Sequence, residues 1–134
     1  MRFCLDTCVV IDILKGIIKN KKLLESISKP QLLICTTPIN LNELYRGAFI
    51  SSNPKESYKL IEDLIRETDI HLLEYNKKAC ELYGKIYADL RKKGKLTQDA
   101  DLIIACIATT HDATLITSNT KHFKDIKGIQ LIKW

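Results

Sequence analysis

Short apolar runs of strand length recur along this 134-residue chain, and stretches with helical spacing separate them. That alternation constrains the fold more than any other feature. Phe3-Cys4-Leu5 reads as a buried strand ending at Asp6. Leu32 to Cys35, Ile70 to Leu73, Thr114 to Thr117 and Gln130 to Lys133 read as four more, the last at an edge. Between them, a helix is expected from Thr7, with Val9, Val10, Ile13 and Leu14 on its spacing and Gly16 as its stop. A second runs from about Lys19 to Ser28. Thr37-Pro38 supplies an N-cap and a first helical position for a helix to about Phe49, and Ser52-Asn53-Pro54 repeats the signal for one to about Arg66. Asn76 caps a long helix to about Lys92, closed by Gly94, and Thr97 is expected to cap another from Gln98 to about Thr110. Every crossover is long enough for a right-handed parallel connection. The expected class is α/β, a three-layer α/β/α arrangement around a central, mainly parallel sheet of four to five strands. No linker, repeat or low-complexity tract divides the chain, so residues 1–134 are read as one domain.

Composition narrows the setting. Hydrophobic residues make up 46% and charged residues 28%, a globular balance. No apolar run is long enough to span a bilayer. The opening residues turn acidic at Asp6, too early for a secretory signal, so a cytoplasmic location is expected. The five cysteines form no C-x-x-C pair, and four sit in apolar segments. They read as small reduced hydrophobes, with no disulfide and no zinc site. The net charge of +5 gathers in two groups, Lys15, Lys19, Lys21 and Lys22, and Arg91, Lys92, Lys93 and Lys95. Such runs fit either a solvated face or a polyanionic partner.

In parallel sheets, ligands bind beyond the carboxyl ends of the strands. Asp6 ends the first strand and Thr117-Ser118-Asn119 ends the fourth, so both belong to that crevice. Asp6 is equally a helix cap by position. Asp101 lies in the first turn of a helix that is apolar almost all round, on a face shared with Ile104, Ala105 and Ala108. The helix dipole offers such a carboxylate about 0.3–1 kcal/mol, too little to offset burial. A lysine, an arginine or a metal ion is therefore expected beside it. Glu43 flanks the apolar stripe of its own helix, where a surface ion pair with Arg46 is the alternative to a site role. Asp99 points about 200° away from Asp101 on an ideal helix, so it joins the same centre only if the helix begins between them. Three acids from separate segments at one sheet edge suit a hard cation such as Mg²⁺ and phosphate chemistry.

Four segments together resemble a known family. Leu5-Asp6-Thr7-Cys8-Val9-Val10-Ile11-Asp12, Asn42-Glu43-Leu44-Tyr45-Arg46-Gly47-Ala48, Asp99-Ala100-Asp101-Leu102-Ile103-Ile104-Ala105 and Leu115-Ile116-Thr117-Ser118-Asn119 with Phe123 and Trp134 look like the ordered motifs of PIN-domain ribonucleases. Within that family they look like the VapC-type toxins of toxin–antitoxin pairs. The resemblance implies a PIN-like fold and a Mg²⁺-dependent endoribonuclease, with Mn²⁺ as an alternative ion. Asp6, Glu43 and Asp101 fall on the family's metal-binding acids. Asn119 takes a fourth position that is often acidic, which favours a single well-held metal. Thr117 matches a hydroxyl beside the first acid, and Asp99 and Arg46 stand as accessory candidates. Cys8 replaces an asparagine common in relatives, and Asp12 is read as a helix residue outside the site. The resemblance further implies an RNA substrate, a cognate antitoxin and a homodimer, with no membrane partner. The alternatives inside the family are an RNA-processing nuclease without an antitoxin and an RNA-binding relative that has lost catalysis. A receiver domain, an aspartyl phosphatase and a dinucleotide-binding module are disfavoured. The first two lack their second acid and the third lacks its glycine loop.

Overall fold

The computed structural model describes residues 1–134. In chain order the elements are β1 (Arg2–Leu5), α1 (Thr7–Leu14), α2 (Lys21–Ile27), β2 (Leu33–Thr36), α3 (Pro38–Phe49), α4 (Pro54–Glu67) and β3 (His71–Leu72). They continue as α5 (Lys77–Lys92), α6 (Asp99–Thr110), β4 (Ala113–Thr117), α7 (Thr120–Phe123) and β5 (Leu131–Lys133). All five strands pair in parallel, in the order β3-β2-β1-β4-β5. The α/β class, the parallel sheet and the edge position of the last strand are as the sequence implies. The order reverses direction at β1, and ligand crevices of parallel sheets lie at such a switch point.

Alternate residues of the central strands enter two separate cores, as the period of two requires. Cys4, Cys35 and Leu115 pack with α5, α6 and α7 on one face. Phe3, Leu5 and Ile116 pack with α1, α3 and α4 on the other. Helix α6 supplies five consecutive buried residues, Ile104 to Ala108, because its apolar surface runs almost all round. The long helix α5 ends at Lys92 with Lys93 as its C-cap, and Gly94 follows at φ +63°, a left-handed conformation that glycine adopts without strain.

Two details of the sequence reading are corrected. The α6 cap is Gln98, whose side chain makes no capping bond. The Thr97 hydroxyl instead donates to the carbonyl of His122 at 3.2 Å. The acids Asp99 and Asp101 in the first turn suit the helix dipole where no side-chain cap does. The short helix α7 has no counterpart in the sequence reading; four residues are too few to show a period.

The chain end is clamped to the first helix. Trp134 is buried, its backbone N–H donates to the carbonyl of Thr117, and its indole N–H donates to Asp12 Oδ2 at 3.0 Å. Lys19 meets the same oxygen at 2.9 Å. The bond from Lys19, and then that from Trp134, hold the Asp12 carboxyl below its ordinary value of 3.8. Stability from a depressed carboxyl is complete above the unfolded pKa and is lost as pH falls through the folded one. Urea unfolding of wild type and Asp12→Asn tests this. The wild type has the higher midpoint at pH 7, and the gap closes once the pH falls below the folded value.

Candidate active site

The N-terminal strand delivers Asp6 directly into the crevice. Its backbone is extended (φ −70°, ψ 158°), so the chain turns there from β1 into α1 with Asp6 as the N-cap. The carboxylate is buried and surrounded by donors. Oδ1 accepts from the Thr7 backbone N–H at 2.9 Å and from Asn40 Nδ2 at 3.1 Å. Oδ2 accepts from the Thr117 hydroxyl at 2.6 Å, and the Cys8 thiol lies 3.7 Å from it. The two readings of Asp6, cap and site residue, are therefore compatible, since one oxygen serves the cap. An ionised carboxylate has about four acceptor positions. The three short bonds leave one, on Oδ2, contested only by the thiol.

Asn40 was not among the residues singled out from sequence. It is fully buried at the third position of α3 and completes a capping box with Thr37. Its Oδ1 accepts from the Thr37 hydroxyl and backbone N–H, while Nδ2 reaches Asp6 and the Thr7 hydroxyl, the latter at 3.0 Å. The signal was available in the cap: the third residue after Thr37 is an amide with two donors to spare. Thr117 is likewise fully buried, donating to Asp6 and accepting from the Asn119 backbone N–H at 3.0 Å.

Asp6 opens onto a cavity of about 520 Å³ that Glu43, Arg46, Asp101, Asn119 and His122 also line. The structure thus brings together Asp6, Glu43, Asp101, Asn119 and Arg46, with Thr117 behind Asp6. Glu43 is half-buried, and desolvation first, with the like charges of Asp6 and Asp101, raises its carboxyl pKa. Thr7 and Arg46 act in the opposite direction, but Arg46 forms no close ion pair with it. Desolvation also raises the Asp101 carboxyl, and Asp6 adds to the effect.

The partner of Asp101 departs from expectation. It is neither lysine nor arginine but His122 of α7, whose Nδ1 lies 3.1 Å from Asp101 Oδ2. His122 is not among the residues singled out from sequence. The topological rule that placed Thr117 to Asn119 in the crevice, carried one helical turn further, reaches it. Asp99 does not join the site. The α6 helix begins at Asp99 itself, so its side chain turns away and accepts from the Tyr83 hydroxyl at 2.7 Å. Cys8 lines the cavity and Cys80 is exposed, so only Cys4, Cys35 and Cys106 are the buried hydrophobes expected; all five thiols are free.

No three of the His, Cys, Asp and Glu side chains are drawn tightly enough together to ligate one ion directly. The acids instead face one another across a cavity roomy enough for water. That arrangement fits Mg²⁺, which keeps several waters and takes only one or two carboxylates. It would also be favoured electrostatically, because a divalent cation relieves the mutual repulsion that raises Glu43 and Asp101.

Comparison with known proteins gives a consistent picture. The PIN domain family model matches residues 3–129. Ribonuclease VapC1 of Haemophilus influenzae (strain R2866) is 35% identical over 136 residues, covering 100% of this chain and 98% of that protein. The tRNA(fMet)-specific endonuclease VapC of Salmonella typhimurium is 29% identical, again over 100% of this chain and 98% of its own length. Among solved structures, VapBC-1 from nontypeable Haemophilus influenzae superposes with a TM-score of 0.87 at 35% identity, covering 100% of this chain and 98% of that one.

The buried network has a direct test. Asn40→Ala removes the donor to Asp6 and Thr7 and the acceptor of Thr37. Each buried group left unpaired costs on the order of 1–3 kcal/mol. Urea unfolding at neutral pH is expected to show a loss of at least that size.

Proposed function

This chain belongs to the PIN-domain family, among its VapC ribonucleases, and we propose that it is a Mg²⁺-dependent endoribonuclease acting as the toxin of a VapBC-type toxin–antitoxin pair. One observation carries the reading: acids from the end of β1, from α3 and from α6 face a single cavity at the switch point of a parallel sheet. Asp6 and Asp101 would hold the ion, with Glu43 contributing through water, and Mn²⁺ suits the same oxygen set. When bound, the ion supplies charge neutralisation at the phosphoryl oxygens and a more acidic water.

The chain's own groups do the rest. Thr7, Asn40 and Thr117 fix the orientation of Asp6, so its free lone pair points one way. Glu43, with its raised proton affinity, accepts the proton of the attacking water. In-line attack then leaves a 5′-phosphate and a 3′-hydroxyl, with no need for the RNA 2′-hydroxyl as nucleophile. Asn119 orients water at the cavity rim, and Arg46 meets substrate phosphate. The site works in the cytoplasm, where RNA is available and its five thiols stay reduced.

The toxin reading includes an antitoxin that covers the cavity and a homodimer of this chain. Exposed Phe49 and Ile50 at the α3–α4 turn are apolar surface that a protein partner would cover.

Incubation with total RNA in Mg²⁺ tests the activity, with tRNA(fMet) as a defined first substrate. Asp6→Asn, Glu43→Gln and Asp101→Asn are each expected to lower cleavage by on the order of 10²–10⁴-fold, and a chelator should abolish it. Asp99→Ala should leave the rate within about twofold of wild type, as its side chain faces Tyr83. Full activity of Asp6→Asn in Mg²⁺ overturns the assignment. Expression of the chain alone is expected to slow growth, and co-expression of the small protein encoded beside it to restore it.

A further inference from the structure

The cavity that holds the acids is electronegative, and an RNA strand is a polyanion. The strand therefore needs cations beside the acids to remain bound on either side of the cut. Within the cavity the one permanent cation is Arg46. A second hollow, of about 260 Å³, adjoins it between the α5–α6 connection and α7. The two hollows share His122, which lines both. The imidazole turns Nδ1 toward Asp101, while Nε2 has no partner within the protein.

The polar wall of the second hollow is Lys95, Thr97, Lys121 and Asp125, together with His122. Its walls are held in register, because the Thr97 hydroxyl donates to the His122 carbonyl and so ties the α5–α6 connection to α7. The Lys95 backbone N–H is also anchored, to the carbonyl of Leu90 at 2.9 Å. Lys121 takes part in no ion pair, and Lys95 meets only Asp125, at 3.4 Å and with both side chains substantially exposed. An exposed pair of that kind contributes little and is readily exchanged for a phosphate.

We propose that this groove is a second phosphate subsite for the RNA strand. The backbone leaves the acidic cavity over His122, and the neighbouring phosphate lies between Lys95 and Lys121. The proposal rests on the ribonuclease reading and adds to it the path of the substrate across the surface.

Binding without cleavage separates the two ideas. A labelled single-stranded RNA of about 12 nucleotides, within the range that such grooves accommodate, is titrated by fluorescence anisotropy with chelator present. The proteins are wild type, Lys95→Gln/Lys121→Gln, and Lys21→Gln/Lys22→Gln as a control of equal charge change on α2. Circular dichroism confirms that these surface variants fold. Loss of the one phosphate held between the two lysines is expected to flatten the log K against log salt slope by about 0.7 and to weaken low-salt binding on the order of tenfold. In Mg²⁺ the groove pair should raise KM for the long RNA and leave a dinucleotide substrate unaffected.

Equal weakening by the α2 pair, or no change in the groove pair, overturns the subsite. If wild type then still cleaves RNA, the ribonuclease reading stands alone. If the groove pair shows the expected loss of binding but wild type cleaves nothing in Mg²⁺, the subsite stands and the ribonuclease reading falls.

Discussion

The structure depends on a single buried carboxylate. Asp6 sits at the junction of the central strand and the first helix, 5% exposed, with donors from three different parts of the chain. A charge in that position is tolerable only because each donor is itself constrained. Asn40 is held by the Thr37 cap, Thr117 by the end of β4, and the Thr7 N–H by the helix it begins. The hydrogen bonds that make the carboxylate affordable also set its direction. Stability and site geometry here are two readings of one network, so a change in Asn40 or Thr117 acts on both.

Around that centre the charges are arranged in shells of opposite sign. Asp6, Glu43 and Asp101 oppose one another across the cavity, and desolvation raises the last two further. Arg46 stands at the cavity wall, and Lys95 and Lys121 lie farther out, on the α5–α6 connection and α7. Under the proposed function, such an order would attract a polyanion from a distance and leave the innermost position to a small, highly charged cation.

The legibility of this molecule in its sequence follows the length scale of each feature. The strands and long helices were readable because burial imposes a period, of two in a strand and about 3.6 in a helix, that a short apolar run or several helical turns display. That Asp6, Glu43 and Asp101 share one cavity was readable because topology and family motifs point to the same sheet edge. His122 was not, since it sits on a single turn of helix with no period to detect. The donors of Asp6 were only half readable. Thr117 has a motif position, whereas Asn40 looks from sequence like an ordinary cap residue, and its second hydrogen-bonding face is set by the β1–α1 junction 33 or more positions away. Thr97 shows the converse failure. It has the right identity for a cap, but a tertiary acceptor on α7 competes successfully for its hydroxyl.

The strand order also has a consequence in time. The central strand β1 is made first, yet one of its two neighbours is β4, and Asp6 is joined to Thr117 across 111 positions of sequence. Asp6, Thr7 and Asn40 leave the ribosome well before Asp101, Thr117 and His122. Contacts this distant in sequence form late because the intervening loop must close first. A nascent chain that has reached only α3 therefore carries half of the centre without the other half, and the cavity closes only once α6, β4 and α7 have followed.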